Sequence, residues 1–236
     1  MKFQPLHEWP STPGEAVKIQ QQFKSSIILE NVLDKIETIA AVDTAYNVVN
    51  NRLYAAVVTL KYPDLNDVER AVAEMEAQFP YIPALLAFRE GPVILKAISR
   101  LKRKPDVIIY AGHGIAHPRS FGMASHIGLF TDIPSIGCAR KVLVGEHRMP
   151  GRVKGSCSPL SFQDSTVGFV YRTKGEVKPM IISPGHKCDL KNALEIVVNC
   201  LSDFRMPEPL RQAHLFASKF KQSSAKKFHQ GGVVSN

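Results

Sequence analysis

Residues 38–61, TIAAVDTAYNVVNNRLYAAVVTLK, are the clearest indication of the fold. Residues 38–46 and 52–61 are two runs of β-branched, aromatic and small apolar residues, a composition typical of β-strands. The segment between the runs carries three asparagines, which favour turns because the Asn side chain bonds to nearby backbone. These asparagines are Asn47, Asn50 and Asn51. The stretch therefore predicts a β-hairpin.

The segment that follows the hairpin, residues 68–78, fits two structures. Its alanines and glutamates favour a helix, but the spacing of its apolar residues agrees with neither period clearly. Two predicted strands come directly before it. We therefore expect a third strand of the same meander.

Helices and strands alternate in the rest of the chain. Short apolar runs at 107–110 and 134–139 are typical of central strands buried on both faces, and strands are also predicted at 166–172 and 179–183. Helices are predicted from the capping box at Thr12 to about residue 25, and at 90–101, 123–130, 190–201 and 209–220.

This order of elements implies an α/β fold, with a mixed β-sheet and helices on both of its faces. The length suits a single domain, which we place at residues 1–221. The polar, Gly-containing segment 222–236 is expected to be a flexible tail.

The composition excludes several classes of protein. No run of eighteen or more uncharged apolar residues occurs, so we expect no membrane span. The first ten residues lack the layout of a signal peptide, and we expect a cytoplasmic protein. The cysteines lack CxxC spacing and predict free thiols, neither a disulfide framework nor a zinc site. They are Cys138, Cys157, Cys188 and Cys200.

The charge is strongly basic, with 30 Lys and Arg residues against 21 acidic ones and a formal net charge of +9. A basic surface attracts nucleic acid without regard to its sequence. The same charge also serves solubility, so charge alone does not decide the partner.

Two acidic residues, Asp43 and Glu90, occupy positions that make them candidates for a functional site. Asp43 interrupts an apolar strand, and a buried carboxylate is costly unless it is paired or binds a metal. A solvent-facing position on a half-exposed strand is the alternative. Glu90 comes at the predicted start of a helix, where the helix dipole alone would explain an acidic residue.

The densest group of chemically useful residues is YAGHGIAHP, at 110–118. It follows a predicted buried strand and precedes a helix, the place where α/β sheets bind ligands. Its glycines allow a base or phosphate to approach the backbone, and His113 and His117 supply donors or ligands. One Gly-His turn is a weak signal, but Ser125-His126 and the strand at 134–137 accompany it.

Two further features are ambiguous by themselves. The loop Pro80-Tyr81-Ile82-Pro83 is stiffened by prolines, and such a loop can wedge a side chain into a base stack and hold a nucleotide out of it. A turn packed on the core explains the same residues. His214 lies on the last predicted helix, where a lone histidine is more often structural than catalytic.

In combination, these residues resemble the endonuclease V family, whose members nick nucleic acid near inosine. The similarity covers nearly all of residues 6–221. Its most specific stretches are PYIP at 80–83 with LLAFRE at 85–90, and GHGIAHPR at 112–119, continuing through Gly122, Ala124-Ser125-His126 and Ile133-Pro134. The last helix, with PEP at 207–209 followed by Arg211 and His214, also agrees.

The resemblance implies a ribonuclease H-like fold and a repair endonuclease that hydrolyses a phosphodiester bond 3′ to a deaminated purine. Its cofactor would be Mg²⁺, with Mn²⁺ as a substitute. Asp43 and Glu90 would hold the metal, and His214 would serve the metal or its attacking water. Arg140 would clamp phosphate.

The same resemblance implies how the substrate is held. Residues 80–83 would be the wedge, and Leu86, Gly112 and Met123 would line a hypoxanthine pocket largely with backbone groups. Backbone groups suit this task because inosine presents an acceptor at O6 and a donor at N1, which peptide groups can match. The expected substrate-binding set is Pro80, Tyr81, Ile82, Pro83, Ala84, Leu86, Gly112, His113, Gly114, His117 and Met123.

Three residues depart from the family pattern. Ala111 stands where the family has the Asp that would be the third metal-binding carboxylate, beside Asp43 and Glu90. Arg140 replaces the usual Lys, and Ala84 replaces the usual Gly. Loss of a carboxylate weakens both metal binding and catalysis, so we expect a catalytically impaired nuclease.

Two hypotheses remain open. The chain is a repair endonuclease whose third carboxylate has been replaced, or it is a natural inosine-binding protein that does not cut. The otherwise intact site favours the first. In either case we expect a monomer that binds nucleic acid with deaminated bases, DNA in preference to RNA, and no membrane.

Overall fold

The stretch at 38–61 folds as the predicted hairpin. Its two strands pair antiparallel without interruption, from Thr38 opposite Lys61 to Asn47 opposite Arg52. The third strand of the meander, which composition alone did not settle, pairs antiparallel with the second. The computed structural model describes residues 1–230.

Within residues 1–230 the chain forms eight strands and five α-helices. The strands are β1 (Thr38–Asn47), β2 (Arg52–Lys61), β3 (Asp67–Glu76), β4 (Val107–Tyr110), β5 (Ser135–Ala139), β6 (Cys157–Phe162), β7 (Ser165–Tyr171) and β8 (Met180–Pro184). The helices are α1 (Pro13–Phe23), α2 (Leu86–Ser99), α3 (Met123–Thr131), α4 (Leu190–Asn199) and α5 (Glu208–Gln230).

All eight strands join one sheet in the order β3-β2-β1-β4-β5-β8-β7-β6. Strands β1, β4 and β5 are parallel to one another, and the other neighbours are antiparallel. The predicted mixed α/β sheet of the ribonuclease H-like kind is therefore confirmed.

The core has two main layers, one on each face of the sheet. On one face, α2 and α3 contribute Ile94, Ile98 and Ile127 to a cluster that includes Val57 and Ile108. On the other face, α4 and α5 pack onto the same strands. Their contribution includes Ile196, Val197, Leu210 and Ala213, beside Ile109 and Ile182 of the sheet. Strand β4 is buried on both faces, and its carboxyl end is the place where α/β sheets bind ligands.

Three elements, α2, β6 and α5, differ substantially from the prediction. Helix α2 begins at Leu86, so Glu90 is its fifth residue, and the explanation of Glu90 by the dipole of a helix start was wrong. Strand β6 was missed because Pro159 and polar residues disguise it, a composition that an edge strand tolerates. Helix α5 continues ten residues past the predicted end, to Gln230. The rest of the predicted tail, residues 231–236, lies outside the described part of the chain.

The structure bears on two features expected from the composition, namely the state of the cysteines and the lack of a membrane span. All four cysteines are free thiols, as predicted. Among the described residues, no helix combines the length and the apolar character needed to cross a membrane.

Candidate active site

A cavity of about 550 Å³ opens at the carboxyl end of β4, beside the middle of β1. It brings together most of the residues predicted for the site. These are Asp43, Tyr81, Ile82, Pro83, Ala84, Leu86, Ala111, Gly112, His113, His117, Met123, Arg140 and His214. Pro80, Glu90 and Gly114 do not belong to its lining.

Asp43 projects from β1 into this cavity and is held by two hydrogen bonds. Its Oδ2 lies 2.7 Å from His214 Nδ1 on α5, and its Oδ1 accepts a hydrogen bond from the Thr44 amide at 2.8 Å. The Asp43 side chain is 14% exposed, against 39% for His214. The carboxylate is therefore fixed in direction yet open to the cavity, which excludes the alternative of an ordinary solvent-facing residue.

Glu90 approaches the same point from α2, on the opposite face of the sheet. Burial raises the pKa of its carboxyl to about 7; a hydrogen bond with the Thr44 hydroxyl lowers this pKa and the negative charge of Asp43 raises it. Two acidic groups thus lie close enough to repel each other. Such a pair binds a cation readily, because the cation relieves the repulsion.

Ala111 lies beside Asp43 on the neighbouring strand. Its amide donates to the carbonyl of Val42 at 3.1 Å, and its side chain shares a face of the sheet with Ala41 and Ile109. The alternation along β1 places Asp43 on that face too. An aspartate at position 111 would therefore project next to the Asp43 carboxylate.

The donors present fit a hard divalent cation in type but not in number. Carboxylate oxygens are the preferred ligands of Mg²⁺, and Asp43 with Glu90 supplies two such groups. Across the described residues, no group of three His, Cys, Asp or Glu side chains could hold a metal ion. A third carboxylate is lacking, and position 111, beside Asp43, holds Ala.

The loop at 80–83 stands out from the body of the protein. Tyr81 is 70% exposed, whereas Phe79 and Leu85 at the two ends of the loop are buried. The Phe79 carbonyl also accepts a hydrogen bond from Arg89. Tyr81 is therefore not a core residue, and the loop presents its ring at the mouth of the cavity.

Ala84 closes this loop in a left-handed backbone conformation, with φ of 64°. This conformation favours glycine over alanine, since a Cβ atom costs roughly 1–2 kcal/mol there. The Ala84 carbonyl accepts three hydrogen bonds, from Gln20 Nε2 at 3.0 Å, His117 Nε2 at 2.8 Å and Arg119 Nη2 at 3.1 Å. These bonds hold the loop against α1 and against residues 112–119, which we call the Gly-rich turn.

The two histidines of the Gly-rich turn are neutral at physiological pH. Burial lowers the pKa of His117 to about 4, and burial likewise lowers the pKa of His113 to about 4. A neutral His117 donates through Nε2 to Ala84 and accepts at Nδ1 from the Arg119 amide at 3.2 Å. His117 therefore orders the loop around the cavity without adding charge to it.

The two glycines of the turn have different surroundings. Gly112 lines the cavity. A Cβ atom on Gly114 would lie 1.9 Å from the Pro184 carbonyl oxygen, and its amide donates to Ser183 Oγ at 2.8 Å. Gly114 is thus needed for packing against β8.

Sequence reasoning missed several residues that line the cavity, including Gln20, Thr44, Lys141 and Met206. Gln20 is 1% exposed and also donates to the Phe121 carbonyl at 3.0 Å. A polar residue on the buried face of α1 was the available signal. Nothing local marked Met206.

Comparison with known proteins agrees with this geometry. The family model of endonuclease V matches residues 21–215. Endonuclease V of Methanothrix thermoacetophila is 46% identical over 219 residues, which cover 93% of this chain and 96% of the relative. Endonuclease V of a Roseiflexus species is 43% identical over 210 residues, or 89% of this chain and 94% of the relative.

Solved structures show the same similarity. Endonuclease V of Streptomyces avermitilis superposes with a TM-score of 0.86 at 36% identity, covering 92% of this chain and 96% of its own. Endonuclease V of Ciona intestinalis, solved in complex with a 23mer DNA containing an inosine followed by a ribo-adenosine, superposes with a TM-score of 0.78 at 25% identity. That match covers 89% of this chain and 97% of the Ciona chain.

Proposed function

This chain belongs to the endonuclease V family, and we propose that it is a metal-dependent endonuclease for inosine-containing nucleic acid whose cutting step is impaired by Ala111. The observation that carries the proposal is the single cavity that joins the exposed loop at 80–83, the Gly-rich turn and the Asp43–His214 pair. A relative of this chain is solved with DNA that contains inosine.

Recognition of the base is assigned to the interior of the cavity. Leu86, Gly112 and Met123 line it, and their peptide groups can match the O6 acceptor and N1 donor of hypoxanthine. The neutral state of His113 and His117 supports this assignment, because a protonated histidine would place a buried, unpaired positive charge beside an uncharged base. The exposed Tyr81 ring is assigned to the gap that the extruded base leaves in the stack.

Hydrolysis is assigned to the acidic end of the cavity. A bound Mg²⁺ or Mn²⁺ would activate water and stabilise the negative charge that develops on the phosphate. Asp43, oriented by His214, and Glu90 would hold it, and Arg140 would bind a phosphate oxygen at the cavity wall. With Ala111 in place of a third carboxylate, binding of the cation is weakened and cutting slows.

A second candidate function rests on the same gap. Because the described residues hold no complete three-residue metal site, the chain could be a natural inosine-binding protein that does not cut. The otherwise complete cavity favours the impaired nuclease.

We propose a role in the repair of deaminated DNA in the cytoplasm. We further propose that the chain acts as a monomer and that RNA is the second candidate substrate.

The proposal is tested by titrating the unaltered chain with labelled single strands that differ only in one inosine or adenine. DNA and RNA versions are compared at one fixed salt concentration, because phosphate contacts dominate the affinity. We expect tighter binding of the inosine strand, with and without Mg²⁺. Equal affinity for the two strands in both DNA and RNA would contradict the proposed function.

A further inference from the structure

We propose that three loops beside the cavity form one binding surface for the nucleic-acid strand that flanks the inosine. The loops are residues 140–156 between β5 and β6, 172–179 between β7 and β8, and 200–207 between α4 and α5. We call this surface the basic platform. The inference rests on the proposed function, since it assigns the path of the same substrate outside the cavity.

All three loops lie at the edge of the sheet that holds the cavity, two of them through the sheet topology and the loop at 200–207 through hydrogen bonds of Arg205. Strand β5 runs parallel to β4, so residue 140 leaves β5 at the same end at which Ala111 leaves β4. The antiparallel pairs Ala139–Ile181, Tyr171–Met180 and Cys157–Tyr171 then bring the outer loops to that end. The basic platform and the cavity therefore face the same side of the molecule.

Buried and half-buried arginines tie the three loops into one body. The Arg205 guanidinium donates to the carbonyls of Arg140, Lys178 and Pro179 at 3.1, 2.7 and 3.0 Å. Arg172, which is 7% exposed, donates to the carbonyls of Pro150 and Gly151, both at 2.9 Å. A surface held in this way loses little conformational freedom when it binds a partner.

The exposed charge of the basic platform is mostly positive. Seven exposed basic side chains stand against three exposed acidic ones. The basic residues are Arg140, Lys141, Arg148, Arg152, Lys154, Lys174 and Lys178, and the acidic residues are Glu146, Glu176 and Asp203. Only one close ion pair forms among these side chains, Arg152 with Glu176 at 3.8 Å. Most of the positive charge is therefore free for phosphates.

Apolar side chains are interleaved with these charges. Met149 is 67% exposed, Val153 is 74% exposed and Phe204 is 51% exposed. Exposed apolar groups among cations suit a single strand, whose bases stack or pack while its phosphates pair with Lys and Arg.

The basic platform is continuous with the cavity wall. Arg140, Lys141 and Met206 belong to both, and Arg140 Nη2 lies 3.1 Å from Met206 Sδ. A strand that leaves the cavity therefore meets the basic platform at once. This continuity favours the flanking strand of the same substrate as the occupant.

A pair of matched triple variants tests the inference. The first replaces Arg152, Lys154 and Lys174 by alanine; all three are exposed. The control replaces Lys102, Arg103 and Lys104, an equally exposed basic triplet that precedes the opposite end of β4. Both variants lose the same charge, so any difference in their affinity for DNA is due to the position of that charge on the surface. Thermal melts of both variants establish that each remains folded.

The probes are single DNA strands with a central inosine, one about 20 nucleotides long and one about five nucleotides long, titrated over a range of salt. For the long strand, we expect the platform variant to bind about tenfold or more weakly. The slope of log affinity against log salt should fall by about two, since each lost phosphate contact removes roughly 0.7. Affinity for the short strand should change little, and the control triplet should match the unaltered chain with both probes.

Charge-preserving replacement of Lys154 and Lys174 by arginine should retain the long-strand affinity, which separates charge from folding effects. Equal binding by the platform and control variants would overturn the inference, as would the same loss on short and long strands. Failure of the proposed function has a different signature, namely no preference of the unaltered chain for inosine over adenine.

Discussion

Asp43 Oδ2 and His214 Nδ1 lie 2.7 Å apart, although 171 positions of sequence separate the two residues. The contact fixes the Asp43 carboxylate from α5 while Glu90 approaches it from α2. Helices on both faces of the sheet thus converge on Asp43, in the middle of β1 where the pairing with β4 ends. This convergence is what the proposed metal site requires, and each of its members can be tested.

Replacement of His214 tests the orientation of Asp43. In a chain that also carries Ala111→Asp, we expect His214→Ala to lower metal affinity or nicking about 10- to 100-fold, the usual effect of losing a residue that orients a ligand. His214→Asn keeps a donor near Asp43 and should recover part of the loss. No recovery with Asn, together with unchanged metal affinity in both variants, would show that His214 acts on the reacting water instead.

The raised pKa of Glu90, about 7, predicts how stability without metal depends on pH. The folded chain retains a proton between about pH 4.5 and 7 that the unfolded chain has released. The free energy of unfolding contributed by this group therefore falls as pH rises through that window. We expect the melting temperature of the chain to fall between pH 5 and pH 8 relative to that of Glu90→Gln.

A divalent cation should reverse this trend, because it binds the ionised carboxylate. Mg²⁺ or Mn²⁺ should raise the melting temperature more at pH 8 than at pH 5, and should raise it less in Glu90→Gln. If the melting temperatures of the unaltered chain and of Glu90→Gln changed in parallel with pH, and the cation raised both equally, Glu90 would not belong to the metal site.

The left-handed backbone of Ala84 predicts a stabilising substitution. Ala84→Gly relieves a strain of roughly 1–2 kcal/mol and loses about 0.4–1 kcal/mol through the freer unfolded chain. We expect a net gain of about 0–1.6 kcal/mol, and each kcal/mol raises the melting temperature by roughly 2–4 °C for a chain of this size. Ala97→Gly, inside α2, is the control and should destabilise by about 1 kcal/mol. A loss of stability in Ala84→Gly similar to that of the control would contradict the strain at Ala84.

Tyr81 is the test of the proposed wedge. Its side chain is 70% exposed, so Tyr81→Ala should leave the melting temperature nearly unchanged. Loss of aromatic stacking, worth about 1–3 kcal/mol per base, should weaken the preference for inosine over adenine strands by roughly ten- to a hundredfold. Unchanged preference in a folded variant would take Tyr81 out of base recognition.

Much of the fold could be predicted because its signals are local. Composition and turn residues alone predict the hairpin at 38–61 and the buried strands at 107–110 and 134–139. The start of α2 was predicted at about residue 90, whereas the helix begins at Leu86 and buries Ala87 and Phe88 in its first turn.

The site was less predictable where contacts join distant parts of the chain. Asp43, the loop at 80–83 and the Gly-rich turn are motifs that stand out locally. The polarity of Gln20 on the buried face of α1 was a local signal, but its role could not be found in that way, because its partners Ala84 and Phe121 lie 64 and 101 positions along the chain. The basic platform was hidden for the same reason, since β6 was missed and three separate loops build the surface.

The most direct test of the proposed function is the rate of nicking by the chain and by Ala111→Asp on the same inosine-containing strand. We expect the restored aspartate, beside Asp43 on the neighbouring strand, to give nicking that depends on Mg²⁺ or Mn²⁺ and stops when the metal is chelated. The unaltered chain should be nearly inactive, slower by a factor on the order of 100 or more. Equal rates for the two proteins in Mg²⁺ would contradict the proposal that Ala111 impairs a metal-dependent nuclease.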